Sequence, residues 1–241
     1  MNNLKISDAL IKKIPLLRLC CISCEVQIGP SGVPIKKLSN EIIAKIQQEL
    51  TIETVSQKPT IRATKEAYRI LGKDPSRYRP SAEALTRRVV SGKGIYEINN
   101  IVDILNLVSL DTGFSIGGYD ADKIVGDVEF GVGLANEPYE AIGRGELNIE
   151  NLPLFRDELG AFGSPTSDSL RTMVTENTTR FLMVIIDFDG SVLLDEAMQK
   201  SIDWLSRLGK AQNIHAVESE CVNPVDNTAN KRTIQMMKYT Q

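Results

Sequence analysis

The residues best suited to chemistry stand in one short run, Gly163-Ser164-Pro165-Thr166-Ser167-Asp168-Ser169, with Arg171 close behind. Hydroxyls and a single carboxylate within a turn put donors, acceptors and an anion at short reach. The turn can also aim backbone N–H groups at a ligand. The same residues can equally make an ordinary capped turn, and the pattern alone leaves both readings open.

A second run, Met183 to Ser191, ends an apolar stretch in Asp187-Phe188-Asp189-Gly190. It resembles the first motif of haloacid-dehalogenase-type phosphatases, in which a strand-end aspartate is the nucleophile. That fold draws its remaining site from strands after the motif, and only about 50 residues follow Gly190. Asp-x-Asp-Gly is also common at a strand-to-turn junction, so the phosphatase remains a remote alternative. Cys21-x-x-Cys24 invites a redox or zinc reading. It lies in a strand-like run, where residues three apart face opposite ways, so buried inert thiols are predicted. The one histidine, His215, excludes any site with two histidines and falls in a predicted strand. Gly131-x-Gly133-x-x-Asn136 lacks the third glycine of a dinucleotide fingerprint.

The elements that must position these residues are read from periodicity. Leu4–Ile14 predicts a short helix stopped by Pro15, and residues 16–28 a buried strand. Residues 38–50 predict an amphipathic helix and residues 60–71 another, ended near Gly72. Ser81 is placed as the N-cap of a helix carrying Leu85, Val89 and Val90 inward. Residues 97–110 predict an apolar helix closed by Gly113, with a polar line Asn99, Asp103, Asn106 on one face. Such a line must be hydrogen-bonded or face a cleft. Residues 116–163 read as short strands and turns, and 179–187 as a central strand. A helix follows over 191–208 and a last strand over 213–222. Residues 223–241 read as a loosely ordered tail. Helices and strands mix without a regular βαβ repeat, which predicts an α+β fold in a single compact mixed domain over 1–241.

Composition is that of a globular protein: 42% hydrophobic and 24% charged over 241 residues. No apolar run approaches the roughly 20 residues of a membrane span, and the first residues lack a secretory core. A cytoplasmic location is therefore predicted. The net charge of −3 is unevenly spread. Residues 62–93 hold nine basic groups against Glu66, Asp74 and Glu83, so the segment is +6 and the remainder −9. Such a segment can follow phosphates or form a solvated helix face.

Three stretches taken together carry a family resemblance. They are Arg77-Tyr78-Arg79-Pro80-Ser81-Ala82-Glu83-Ala84-Leu85, then residues 98–110, then Gly117-Gly118-Tyr119-Asp120-Ala121-Asp122-Lys123-Ile124. With the 163–169 loop they resemble the B-three/B-four editing domain of the phenylalanyl-tRNA synthetase beta subunit, over roughly residues 70–190, and the loop matches free-standing members best. In the synthetase this domain hydrolyses tyrosine misattached to the phenylalanine tRNA. The resemblance therefore implies a trans-acting deacylase of mischarged aminoacyl-tRNA, or a module that binds RNA or an aminoacyl group without hydrolysis. It implies tRNA or aminoacyl-tRNA as partner, no DNA or membrane, and no cofactor, metal or ATP.

The roles it implies are specific. Asp168 binds the α-ammonium or orients water, while Thr166 and Ser167 hold the ester oxygen. Asn106, Gly117, Gly118, Tyr119, Gly163 and Ser164 line the pocket, and Asp120 pins the loop. Arg77, Arg79, Arg87 and Arg88 hold acceptor-strand phosphates, with Tyr78 free to stack on a base. The synthetase domains carry a histidine where this chain has Gly117, and a glutamate-bearing loop near residues 166–168. The departure implies a wider pocket without an imidazole.

Overall fold

The chain's fold, a computed structural model, is described over residues 3–219 and 233–235. Its central strand is β9 (Arg180–Asp187), buried at every position after Arg180. A strand apolar on both faces needs a cover on each. It pairs antiparallel with β2 (Arg18–Glu25) and with β3 (Ser115–Asp120), and β2 pairs onward with β10 (Gln212–Glu218). Phe181, Met183 and Ile185 face a helical layer. That layer is made of α2 (Val33–Glu49), α4 (Ser81–Val90), α5 (Asn100–Thr112) and α6 (Leu194–Arg207). Leu182, Val184 and Ile186 face a second sheet. Its strand order is β11 (Thr233–Gln235), β1 (Asn3–Ile6), β4 (Val128–Val132), β7 (Pro153–Asp157) and β8 (Gly160–Gly163). Leu10 of α1 (Asp8–Lys13) and Ala67 and Leu71 of α3 (Pro59–Leu71) join the core between the sheets. Helices, one antiparallel sheet and one mixed sheet thus form three layers, an α+β fold as predicted.

Strand alternation explains the cysteines. Cys20 and Cys24 enter the helix-side core while Cys21 enters the core between the sheets. The Cys21–Cys24 spacing cannot therefore close on one metal or disulfide. Burial pushes the Cys20 and Cys24 thiols up to about 12 and Cys21 higher still. Native protein treated with iodoacetamide should keep all three unmodified, with alkylation appearing only in denaturant; mass spectrometry of the peptides checks this. Cys221 lies outside the described residues.

The N-terminal helix predicted for Leu4–Ile14 is corrected. Residues 3–6 form β1, parallel to β4 through Leu4↔Val128 and Ile6↔Phe130. The helix starts only after Ser7, whose Oγ accepts the Leu10 N–H. Pairing supplied from far along the chain overrides local propensity here. Most of the predicted tail lies outside the described residues, but Thr233–Gln235 pair antiparallel with β1. Ser81 is not a side-chain cap: Pro80 holds the cap position, and the Ser81 N–H donates to Pro165 O at 2.7 Å. That bond ties α4 to the 163–169 loop.

Candidate active site

The loop lies where two sheet edges meet. β3 is the last strand of one sheet and β8 of the other, and the chain leaves β8 at Gly163 directly into Ser164. The turn is built by Ser164. Its Oγ accepts from the Thr166 and Ser167 N–H groups at 3.3 and 3.2 Å and donates to Ser167 O at 3.0 Å. Asp168 O accepts from Ile142 N–H, and Ser169 bridges to Ala141 of β5 (Glu140–Ala141), which pairs with β6 (Gly145–Glu146). The run is thus a capped turn, and its cap leaves the carboxylate free for another task.

Asp168 turns that carboxylate onto the edge of β3. Its Oδ2 accepts the Gly118 N–H at 3.2 Å, and its carboxylate is buried beside the Tyr119 hydroxyl. The residue as a whole is half-buried, so its outer atoms reach the surface while the carboxylate oxygen does not. Burial raises its pKa from 3.8 to about 7, against the pull of the Gly118 N–H and the nearby Tyr119 hydroxyl. A carboxylate held near neutrality can take a proton from water and give it back.

Three buried tyrosines surround the loop. Tyr119 stands edge-on to Phe162 and Phe155, with centroids 5.0 and 5.9 Å away. Its hydroxyl is buried and faces the Asp168 carboxylate. Tyr68 of α3 bonds Thr166 Oγ1 at 2.9 Å, and Tyr139 donates to Ser167 O at 2.6 Å. Burial raises the pKa of all three phenols. Tyr68 and Tyr139 were not singled out from sequence. Each lies in a different element from the loop it touches, so no local pattern announces them.

The wider pocket predicted from Gly117 is corrected. A Cβ built at Gly117 would lie 2.0 Å from the Tyr119 hydroxyl, and one at Gly163 would lie 2.1 Å from it. Both glycines make room for that phenol, which fills the space. Gly118, on the opposite face, is packed by Leu105 in the same way. Asp120 accepts from Thr178 Oγ1 at 2.8 Å and from the Asp122 N–H at 3.1 Å, contacts that lie outside the 163–169 loop.

The polar line on α5 is mostly structural. Asn99 caps the helix through the Ile101 and Val102 N–H groups, and Asp103 accepts from Ser31 and from the Ile98 N–H. Asn106 is half-buried, with no hydrogen bond to the loop among the described residues. Asp187, the phosphatase-like aspartate, is fully buried and takes Arg18 Nε and Nη2 on one oxygen at 3.1 and 2.8 Å. It is an ion-pair partner with no surface open to an incoming ester. His215 lies on β10 opposite Ser23.

The basic segment divides on inspection. Buried Glu83 collects Lys65, Arg87 and, at 4.0 Å, Arg79. Lys73 donates to two backbone carbonyls and covers the Tyr78 ring at 3.7 Å, which leaves that ring a poor stacking surface. Arg88 stacks at 3.8 Å on Tyr96, which is 63% exposed and is the better platform. Arg77 and Arg79 remain exposed on the loop leading into α4.

A wide groove of about 1020 Å³ lies at the Glu25–Arg180 end of the four-stranded sheet, and a smaller cavity of about 430 Å³ lies beside Asp189. Residues 163–168 line neither.

A layered α+β domain with a buried, near-neutral carboxylate at the junction of two sheet edges is the class of protein defined here. Residues 63–208 match the model of the B3/4 domain, and the chain belongs to that family. Over 123 residues, 50% of this chain, it is 28% identical to the phenylalanine–tRNA ligase beta subunit of Mycoplasmoides gallisepticum (strain R(low / passage 15 / clone 2)), of which it spans only 15%. A crystal structure of an N-terminal fragment of the phenylalanyl-tRNA synthetase beta-subunit from Pyrococcus horikoshii is similar at a TM-score of 0.49 and 12% identity. That similarity covers 90% of this chain and 54% of the fragment.

Proposed function

We propose that this protein hydrolyses the ester of mischarged aminoacyl-tRNA in the cytoplasm, with Asp168 as the general base. The observation that carries this reading is the enclosed Asp168 carboxylate: one oxygen takes the Gly118 N–H, the Tyr119 hydroxyl stands beside it, and burial raises its pKa to about 7. An aminoacyl ester is already reactive toward water. The protein needs only to position that water and stabilise the oxyanion. Asp168 accepts the proton of the attacking water and returns it to the departing ribose oxygen. In this reading Thr166 Oγ1, which shares a hydrogen bond with Tyr68, holds the ester oxygen. The Ser81–Pro165 bond brings the basic segment up to this loop.

The test is a panel of labelled mischarged tRNAs, with release followed above the spontaneous rate. Deacylation of at least one, lost in Asp168→Asn, supports the reading; no release from any tRNA ends it in favour of binding alone. One observation favours that second reading: the Tyr119 phenol fills the space beside Gly117 and Gly163. Phosphate contacts have their own signature. Reversing Arg77 and Arg79 to glutamate should reduce the slope of log affinity against log salt by about two for single-stranded or duplex RNA ends. An unchanged slope returns these residues to a solvated face.

A further inference from the structure

The cavity of about 430 Å³ beside Asp189 falls within the roughly 300–1,000 Å³ of small-molecule sites. Its floor is apolar and buried: Ile14, Ala67 and Phe188 are each at most 5% exposed. Leu16 and Ile70 extend it at the mouth, 50% and 46% exposed.

Charges of both signs stand at the rim. Lys13, at the end of α1, and Arg62, in the first turn of α3, line the cavity and have no carboxylate within 4 Å among the described residues. Glu66 also lines it but is engaged by Arg69 at 2.9 Å. Asp189 supplies the remaining anion.

Asp189 is held in place from below. Its N–H donates to Asp187 Oδ1 at 3.3 Å, and Asp187 is clamped by Arg18, which also donates to Ser191 O at 2.6 Å. The Asp187-Phe188-Asp189-Gly190 turn is therefore a rigid bracket. Its buried aspartate fixes the backbone, and its outer aspartate faces the cavity.

We propose that this cavity binds a free α-amino acid with an apolar side chain. The side chain lies on the Ile14–Ala67–Phe188 floor. The carboxylate meets Arg62 and Lys13, and the ammonium meets Asp189. An apolar acid lacking the ammonium leaves Asp189 facing a like charge, and an apolar amine leaves the two cations without an anion. Only the zwitterion pairs both signs.

Calorimetric titration with four probes tests this: L-leucine, 4-methylpentanoate, 3-methylbutylamine and glycine. L-leucine should bind tightest. Arg62→Ala should weaken L-leucine about tenfold or more, and Asp189→Asn should do so for L-leucine without weakening 4-methylpentanoate. Both side chains sit at the cavity mouth, and thermal melts confirm that each variant is folded. The proposal is overturned if L-leucine binds no better than glycine, or if 4-methylpentanoate matches it. It is equally overturned if neither substitution changes its affinity. No RNA is present in this assay, so its outcome is separate from that of the deacylation assay.

Discussion

Asp168→Asn should make the protein more stable at pH 8 and catalytically silent. The folded protein raises the Asp168 pKa from 3.8 to about 7, chiefly by burial. Folding therefore favours the protonated acid. That contribution is fully present below about pH 3.8 and is lost as pH rises through about 7. Asparagine imitates the neutral acid and keeps an acceptor for the Gly118 N–H. At pH 3 the two proteins should differ little. At pH 8 the variant should gain on the order of 3–4 kcal/mol, the value of three pKa units. Urea denaturation at both pH values measures it. Loss of the base should lower deacylation by about 10²–10⁴-fold. A variant that deacylates at full rate, with the same pH dependence of stability as its parent, removes Asp168 from the mechanism.

Arg18→Ala should destabilise the fold by about 3–5 kcal/mol, because it leaves a buried carboxylate without its cation. Asp187 is 0% exposed, and Arg18 supplies two of the hydrogen bonds to it. The double variant Arg18→Met with Asp187→Leu removes both charges and should recover most of the loss. Denaturant titration of the three proteins decides the matter; a single variant within 1 kcal/mol of the parent would mean that Asp187 finds another counter-charge.

Much of the helical layer and the central sheet was legible in the sequence. Residues 181–186 are apolar at every position, as a strand covered on both faces requires. Asn99 before an apolar helical pattern and Gly113 after it bracket α5, and Gly113 takes φ 81°. Less legible was whatever depends on distant pairing. Residues 3–6 are a strand only because Val128–Phe130 lie beside them. The loop's chemistry divides in the same way. Its hydroxyls and carboxylate could be seen in one line of sequence. That Ser164 would satisfy the turn, leaving Asp168 to face Gly118, depends on geometry. The enclosure by Tyr68, Tyr119 and Tyr139 depends on three elements that composition does not bring together. The basic segment misled in part, since buried Glu83 consumes cations that a charge count treats as available.

The parallel pair β1–β4 has a consequence for how the molecule comes to exist. Leu4 finds Val128 only after 124 further residues have been made, roughly ten seconds at ordinary synthesis rates. Until then the first strand has no β4 beside it, and an unpaired strand edge invites pairing with another chain. Contacts this distant in sequence are also slow to close. The four-stranded sheet is in the same position, since β2 waits for β9 some 160 residues away. Both sheets therefore complete late, and a nascent chain stalled before residue 180 carries two adhesive edges at its beginning. Such chains should be bound by holding chaperones far more than the finished protein.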